Sequence, residues 1–220
     1  MEIKAIKREG ERERKASKRE LRITSFESAS VLCYDRIMLQ WNVKKEVIIH
    51  LVSTIVVFAL ICLVKGYITI PTLLPFVIGG AIAMYLPDID HLIYALYLRP
   101  QELTSQRVAQ KLAGRNFSDL FTLLYATRDE RRELIFHNIF FQLLFIVFAF
   151  LVVTSSGSIL GRGIVLSFML HLFVDQLVDL AGYGTFSRWE KTNMVLVPTS
   201  QQKLYVYAQA IPILLLGFVF

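Results

Sequence analysis

Five apolar segments limit what this chain can fold into more than any other feature. Residues 47–64, 68–86, 134–154, 164–180 and 204–220 are dominated by Leu, Ile, Val, Phe and Ala. At ~1.5 Å per helical residue, each is about long enough to cross a hydrocarbon layer ~30 Å thick. A soluble domain has no core large enough for them: 55% of the residues are hydrophobic, 16 are Phe, and the mean hydropathy is +0.51. In lipid, every backbone N–H and C=O must be satisfied internally, so the crossing runs are expected to be helices. The expected fold is all-α, a polytopic membrane bundle of about five transmembrane helices. The fifth run is short and is interrupted by Gln209 and Pro212, which leaves a tilted or re-entrant course open.

Charge orients the bundle. Lys and Arg number twelve before Val47, seven in residues 99–133 and three in 183–203, against one each, Lys65 and Arg162, in the intervening connections. The positive-inside bias assigns the N-terminus and the two basic loops to the cytoplasmic side of the cell (inner) membrane. Residues 1–45 contain no apolar core and are not expected to be a secretory leader. They read as a basic cytoplasmic tail, solvated or lying on the surface, before a membrane-embedded domain, 46–220. Within residues 99–133, Val108, Leu112, Leu120, Leu123 and Leu124 recur at helical spacing, which predicts short amphipathic helices at the membrane surface. The net charge of +6 would suit nucleic acid, but it is confined to the flanks of apolar runs. Membrane lipids are therefore the expected partners and nucleic acid is disfavoured. Cys33 and Cys62 make neither a disulfide framework nor a C-x-x-C pair.

This topology brings the histidines together. His50 lies one turn into the first run, Asp88, Asp90 and His91 end the second, and His137 lies one turn into the third. His171, Asp175 and Asp179 descend one face of the fourth toward the same side. His171 and Asp175, four residues apart, point the same way and can bind one ion or two neighbouring ones. Ionisable groups at such depth are costly unless paired, and a cation would balance the carboxylates. Imidazole with carboxylate suits a divalent metal, zinc first, with manganese or iron as alternatives. The expected ligands are His50, Asp88, Asp90, His91, His137, His171 and Asp175, and one of Asp88 and Asp90 would remain free as the catalytic proton acceptor. Each has a plainer reading. His50 or His137 could serve as a hydrogen-bond donor between helices, Asp88 could cap a short helix, and Asp179 could be interfacial and only support a ligand.

The box at 86–91 (L-P-D-I-D-H), with His50, His137-Asn138, and H-x-x-x-D at 171–175 followed by Gly182, resembles the pattern of the predicted membrane-bound metal-dependent hydrolases, which include the LexA-binding inner-membrane type. The resemblance covers about residues 47–184. That family is in turn distantly similar to zinc-dependent phospholipases C and single-strand nucleases, which implies phosphoester chemistry. This chain departs from the pattern in the third box. Arg132 stands where the family has a first His, and Asn138 where Ser is usual, so one nitrogen ligand fewer is on offer. Arg132 reads either as a phosphate clamp that binds substrate or as an anchor of topology; Asn138, like Asp179, is expected to support the ligands.

The resulting expectation is a metal-dependent hydrolase acting on a phosphoester, lipid or other, with a metal-activated water. The alternatives are a non-enzymatic, metal-stabilised scaffold and a protein that transports or senses the metal. Haem is disfavoured by the many Asp, and intramembrane proteolysis by the absence of H-E-x-x-H and Gly-x-Gly-Asp motifs.

Overall fold

The computed structural model describes residues 44–131, 133–184, 189 and 197–220. The tail before Lys44, Cys33, Arg132 and most of the 183–203 loop lie outside the described residues. Among those described the chain is mainly helical, with no strand. The helices are α1 (Lys44–Lys65), α2 (Ile70–Ala83), α3 (Ile89–Ile93, continued by a wide turn over Tyr94–Leu98), α4 (Leu103–Ala113), α5 (Phe117–Ala126), α6 (Ile139–Ser155), α7 (Ile159–Tyr183), α8 (Thr199–Ala208) and α9 (Ala210–Leu214). Three stretches are long and apolar enough to cross a membrane: α1, Ile159–Gly182 of α7, and Thr199–Val219, which runs through α8 and α9. The outward faces are apolar as well. Ile48, Val52, Ile55, Leu144, Val147 and Leu151 are all exposed, as expected of side chains that meet lipid rather than water.

The second and third predicted runs form shorter helices, 14 residues in α2 and 17 in α6, for local reasons. Helix α2 starts at Ile70, with Pro in its first turn where the missing N–H costs nothing. It ends at Ala83, where the chain turns toward Pro87. Helix α6 starts at Ile139 rather than Leu134 because the backbone before it is held elsewhere: the N–H groups of Ile135, Phe136 and His137 donate to the Asp90 carboxylate at 2.9, 2.7 and 3.2 Å. Asn138 then caps α6, its Oδ1 accepting from Phe141 N at 2.8 Å.

Helix α7 is the hub, with 61% of its most apolar window buried against 22% for α1. Helix α2 lies unusually close along it. A Cβ at Gly163 would come 2.2 Å from the Phe76 carbonyl oxygen, and one at Gly79 would come 2.3 Å from that of Leu160. Only glycine permits this approach. Ser167 Oγ seals the contact by donating to the Gly80 carbonyl at 2.8 Å. Gly163→Ala is therefore expected to cost about 1–3 kcal/mol, read as a lowered unfolding midpoint in detergent. Gly157→Ala, whose Cβ would meet nothing within 4 Å, serves as the control. Buried amides tie α6 and α8 to α7: Gln142 Oε1 on α6 accepts from Gln176 Nε2 of α7 at 2.7 Å and from the Tyr205 hydroxyl of α8 at 3.0 Å.

The amphipathic helices expected in the polar loop are α4 and α5. Their apolar stripes turn inward, so that Val108, Leu120 and Leu124 are buried with Ala95 in a small core of their own, with Leu112 and Leu123 packed against it.

Candidate metal centre

Three imidazoles converge on one carboxylate. His50 Nε2 lies 3.1 Å from Asp175 Oδ1, while His137 Nε2 and His171 Nε2 lie 3.1 and 3.3 Å from Oδ2. Each ring is held by its other nitrogen: His50 Nδ1 by the Glu46 carbonyl at 2.9 Å, His171 Nδ1 by the Met84 carbonyl at 2.6 Å, and His137 Nδ1 by Asp90 Oδ2 at 3.2 Å. An acceptor at Nδ1 keeps the proton there, so a neutral ring turns a bare Nε2 lone pair toward Asp175. Lone pairs facing a carboxylate repel unless a positive charge sits among them. The Nε2 atoms of His50 and His171 are buried and have no hydrogen-bond partner, which fits a role as ligands of a cation. The spacing fits as well, because ligand atoms ~2.0–2.1 Å from a tetrahedral zinc lie about 3.3 Å apart.

Two ligand groups result, and they share His171. One is His50, His171 and Asp175; the other is Asp88, His137 and His171; within each group the ligand atoms lie within 4.8 Å of one another. Asp88 occupies the cap position of α3, but its side chain makes no capping hydrogen bond. It stands instead 3.6 Å from His171 Nε2 and is the solvent-facing member, with 56% of its side chain exposed.

Asp90 and His91 fall outside both groups. Fully buried, Asp90 accepts three backbone N–H groups in addition to its contact with His137. It shapes the 135–137 turn and aims His137, and it is not a member of either group that could hold an ion. His91 Nδ1 accepts from Arg131 Nε at 3.0 Å, and its ring stacks on His137 with centroids 5.1 Å apart. Burial, reinforced by the neighbouring His137 ring and the Arg131 guanidinium, pushes the His91 imidazole well below its usual range. His91 therefore stays neutral, with its proton on Nε2. Asn138 does not face the cluster through its hydrogen bonds, which go to the backbone of Leu134, Ile135 and Phe141.

Three residues that sequence reasoning passed over close the site from the side. Arg128 bridges Glu46 of α1 and Asp179 of α7, the latter at 2.6 Å, and Trp189 Nε1 donates to Asp179 at 3.1 Å while its ring packs 5.4 Å from that of His137. Burial works against the Arg128 charge, but the Glu46 and Asp179 carboxylates outweigh it and hold the guanidinium protonated above its ordinary range. Asp179 thus belongs to an ion-pair bridge behind the ligands. Glu46 carried a signal, standing one helical turn before His50; Arg128, in a polar loop, carried none. Arg128→Gln removes the guanidinium from between two buried carboxylates and is expected to cost about 3–5 kcal/mol. In a thermal-unfolding cycle, adding Asp179→Asn should recover part of that loss.

The fold and this cluster together define a class: a helical membrane protein with His/Asp groups that could hold a metal ion. No family model, curated protein or solved structure matches the chain.

Proposed function

We propose that this chain is a metal-dependent hydrolase of the cell membrane, cleaving a phosphoester at the cytoplasmic face. The observation that carries the reading is the convergence of three anchored Nε2 atoms on Asp175, two of them buried without a hydrogen-bond partner. His50, His171 and Asp175 hold the first ion; His137 and Asp88 complete its surroundings or hold a second beside it. A divalent ion, zinc ahead of manganese or iron, supplies Lewis acidity that acidifies water and polarises a phosphoryl oxygen. Asp88, the solvent-facing carboxylate, accepts the proton, since Asp90 is occupied by backbone. The resemblance of residues 86–91 and 171–175 to the membrane-bound metal-dependent hydrolases supports this reaction class.

The distribution of Lys and Arg supports a cytoplasmic N-terminus, with α2 and α6 as short additional crossings beside the three longer ones. A cluster at that end of α1 and α7 opens at headgroup depth, which favours a lipid phosphoester as substrate. Arg132 remains the candidate clamp on the substrate phosphate.

Burial of the cluster favours a second reading, a structural metal in a non-enzymatic scaffold, because His50 and His171 are both buried and structural sites are closed. A panel of phosphodiesters and phospholipids, assayed with purified protein and with Asp88→Asn, separates the two. Turnover lost in the variant with metal retained is expected. Metal present with no turnover on any substrate would sink the hydrolase reading and leave the scaffold.

A further inference from the structure

We propose a second site, at the end of the bundle away from the histidines, where Lys65 and Arg162 bind the phosphate of an anionic lipid headgroup. Lys65 is the sole cation in residues 47–98 and Arg162 the sole one in 133–187, while no Asp or Glu occurs in 47–87, 134–174 or 191–220. Two positive charges thus meet at an end of the molecule whose spans bring no carboxylate side chain to it. Both line one shallow surface pocket together with Tyr67, Phe76 and Leu216.

Their present partners include no carboxylate side chain. Lys65 Nζ donates to the Val219 carbonyl at 3.0 Å, and Arg162 Nη1 donates to the Tyr67 hydroxyl at 3.2 Å and to a main-chain oxygen of Phe220, the last residue, at 3.4 Å. A helix-end carbonyl brings roughly half a negative charge and the Phe220 main-chain oxygens at most one, which together fall short of two full positive charges. Arg162 Nε is buried and has no hydrogen-bond partner. An ammonium and a guanidinium with an open donor are the pair that phosphate oxygens satisfy.

Depth selects the source of the phosphate. Helix α1 runs from Lys44 to Lys65, 22 residues, or ~33 Å at the helical rise. Lys65 therefore stands at the headgroup level of the far leaflet, about 22 Å along the axis from His50. Headgroup phosphates are the abundant anions there. The site is independent of the metal centre and of the reaction assigned to it.

The test is native mass spectrometry of the full chain in detergent, titrated with a phosphatidylglycerol or with a diacylglycerol of the same acyl chains. One phosphatidylglycerol and no diacylglycerol should be retained. Lys65→Gln/Arg162→Gln should weaken retention about tenfold, while Lys111→Gln, a surface cation elsewhere, should not. Inorganic phosphate as competitor distinguishes the sources: failure to displace the lipid at equal concentration supports a headgroup site, and full displacement overturns the lipid assignment. Equal retention of the two lipids, or equal weakening by Lys111→Gln, overturns the site altogether. If the double variant aggregates, Lys65→Gln alone is read, with a severalfold loss expected and unchanged retention counting against the proposal.

Discussion

Asp175→Asn should strip the metal from this protein. Wild type purified without chelator is expected to carry metal in stoichiometric amount, and the variant to carry less than about a tenth of it by elemental analysis. The reason lies in how the centre is built. Asp175 is the point on which His50, His137 and His171 all bear, so among the described residues its charge is the only full negative one in direct contact with all three rings. An asparagine keeps the volume and one oxygen but removes the charge that balances a divalent ion, and supporting interactions around such sites are typically worth 10–100-fold in affinity even when they are not ligands. His171→Ala should do the same, because both ligand groups include it. A wild type free of metal would end the metal reading, whatever the variants do.

Asp90→Ala should fail differently, by unfolding. Asp90 is fully buried and its carboxylate receives the Ile135, Phe136 and His137 N–H groups. Removing it leaves three part-buried backbone donors without their acceptor, and each costs about 1–3 kcal/mol where water cannot take the carboxylate's place. Summed, the loss is of the order of the whole stability of a domain, so the alanine variant is expected to be recovered aggregated or not at all. Asp90→Asn keeps one acceptor oxygen and should fold with a lowered midpoint. Limited proteolysis can localise the damage: cleavage should appear first in residues 134–138, where the turn loses its template. An Asp90→Ala protein with wild-type stability and no metal would instead restore Asp90 to the ligand set.

These two expectations mark where the sequence was readable. The pairing of His171 with Asp175 was legible because a helix of fixed pitch turns a spacing of four into a shared face. The apolar runs were legible because the requirement that lipid imposes on the backbone leaves few alternatives. Asp90 was not. It stands between Asp88 and His91 in a box where all three polar residues look like ligands, and what separates them is a contact with backbone 45–47 residues further on. No periodicity encodes that distance. The same holds for Arg128, whose partners Glu46 and Asp179 are 82 and 51 residues away. The start of α6 was misjudged for a related reason: residues 134–138 are apolar enough to continue the helix, but their N–H groups are already bound to Asp90.

The glycines between α2 and α7 act as a gauge for the histidine centre. The Met84 carbonyl that receives His171 Nδ1 belongs to the residue closing α2, and the separation of α2 from α7 is set where Gly79 and Gly163 lie flush against opposing backbone. A methyl group added at that seam would push the carbonyl and the imidazole apart by an amount comparable to the tolerance of a coordination bond. Metal selectivity would then respond to substitutions two or three helical turns away, in residues that carry no chemistry of their own.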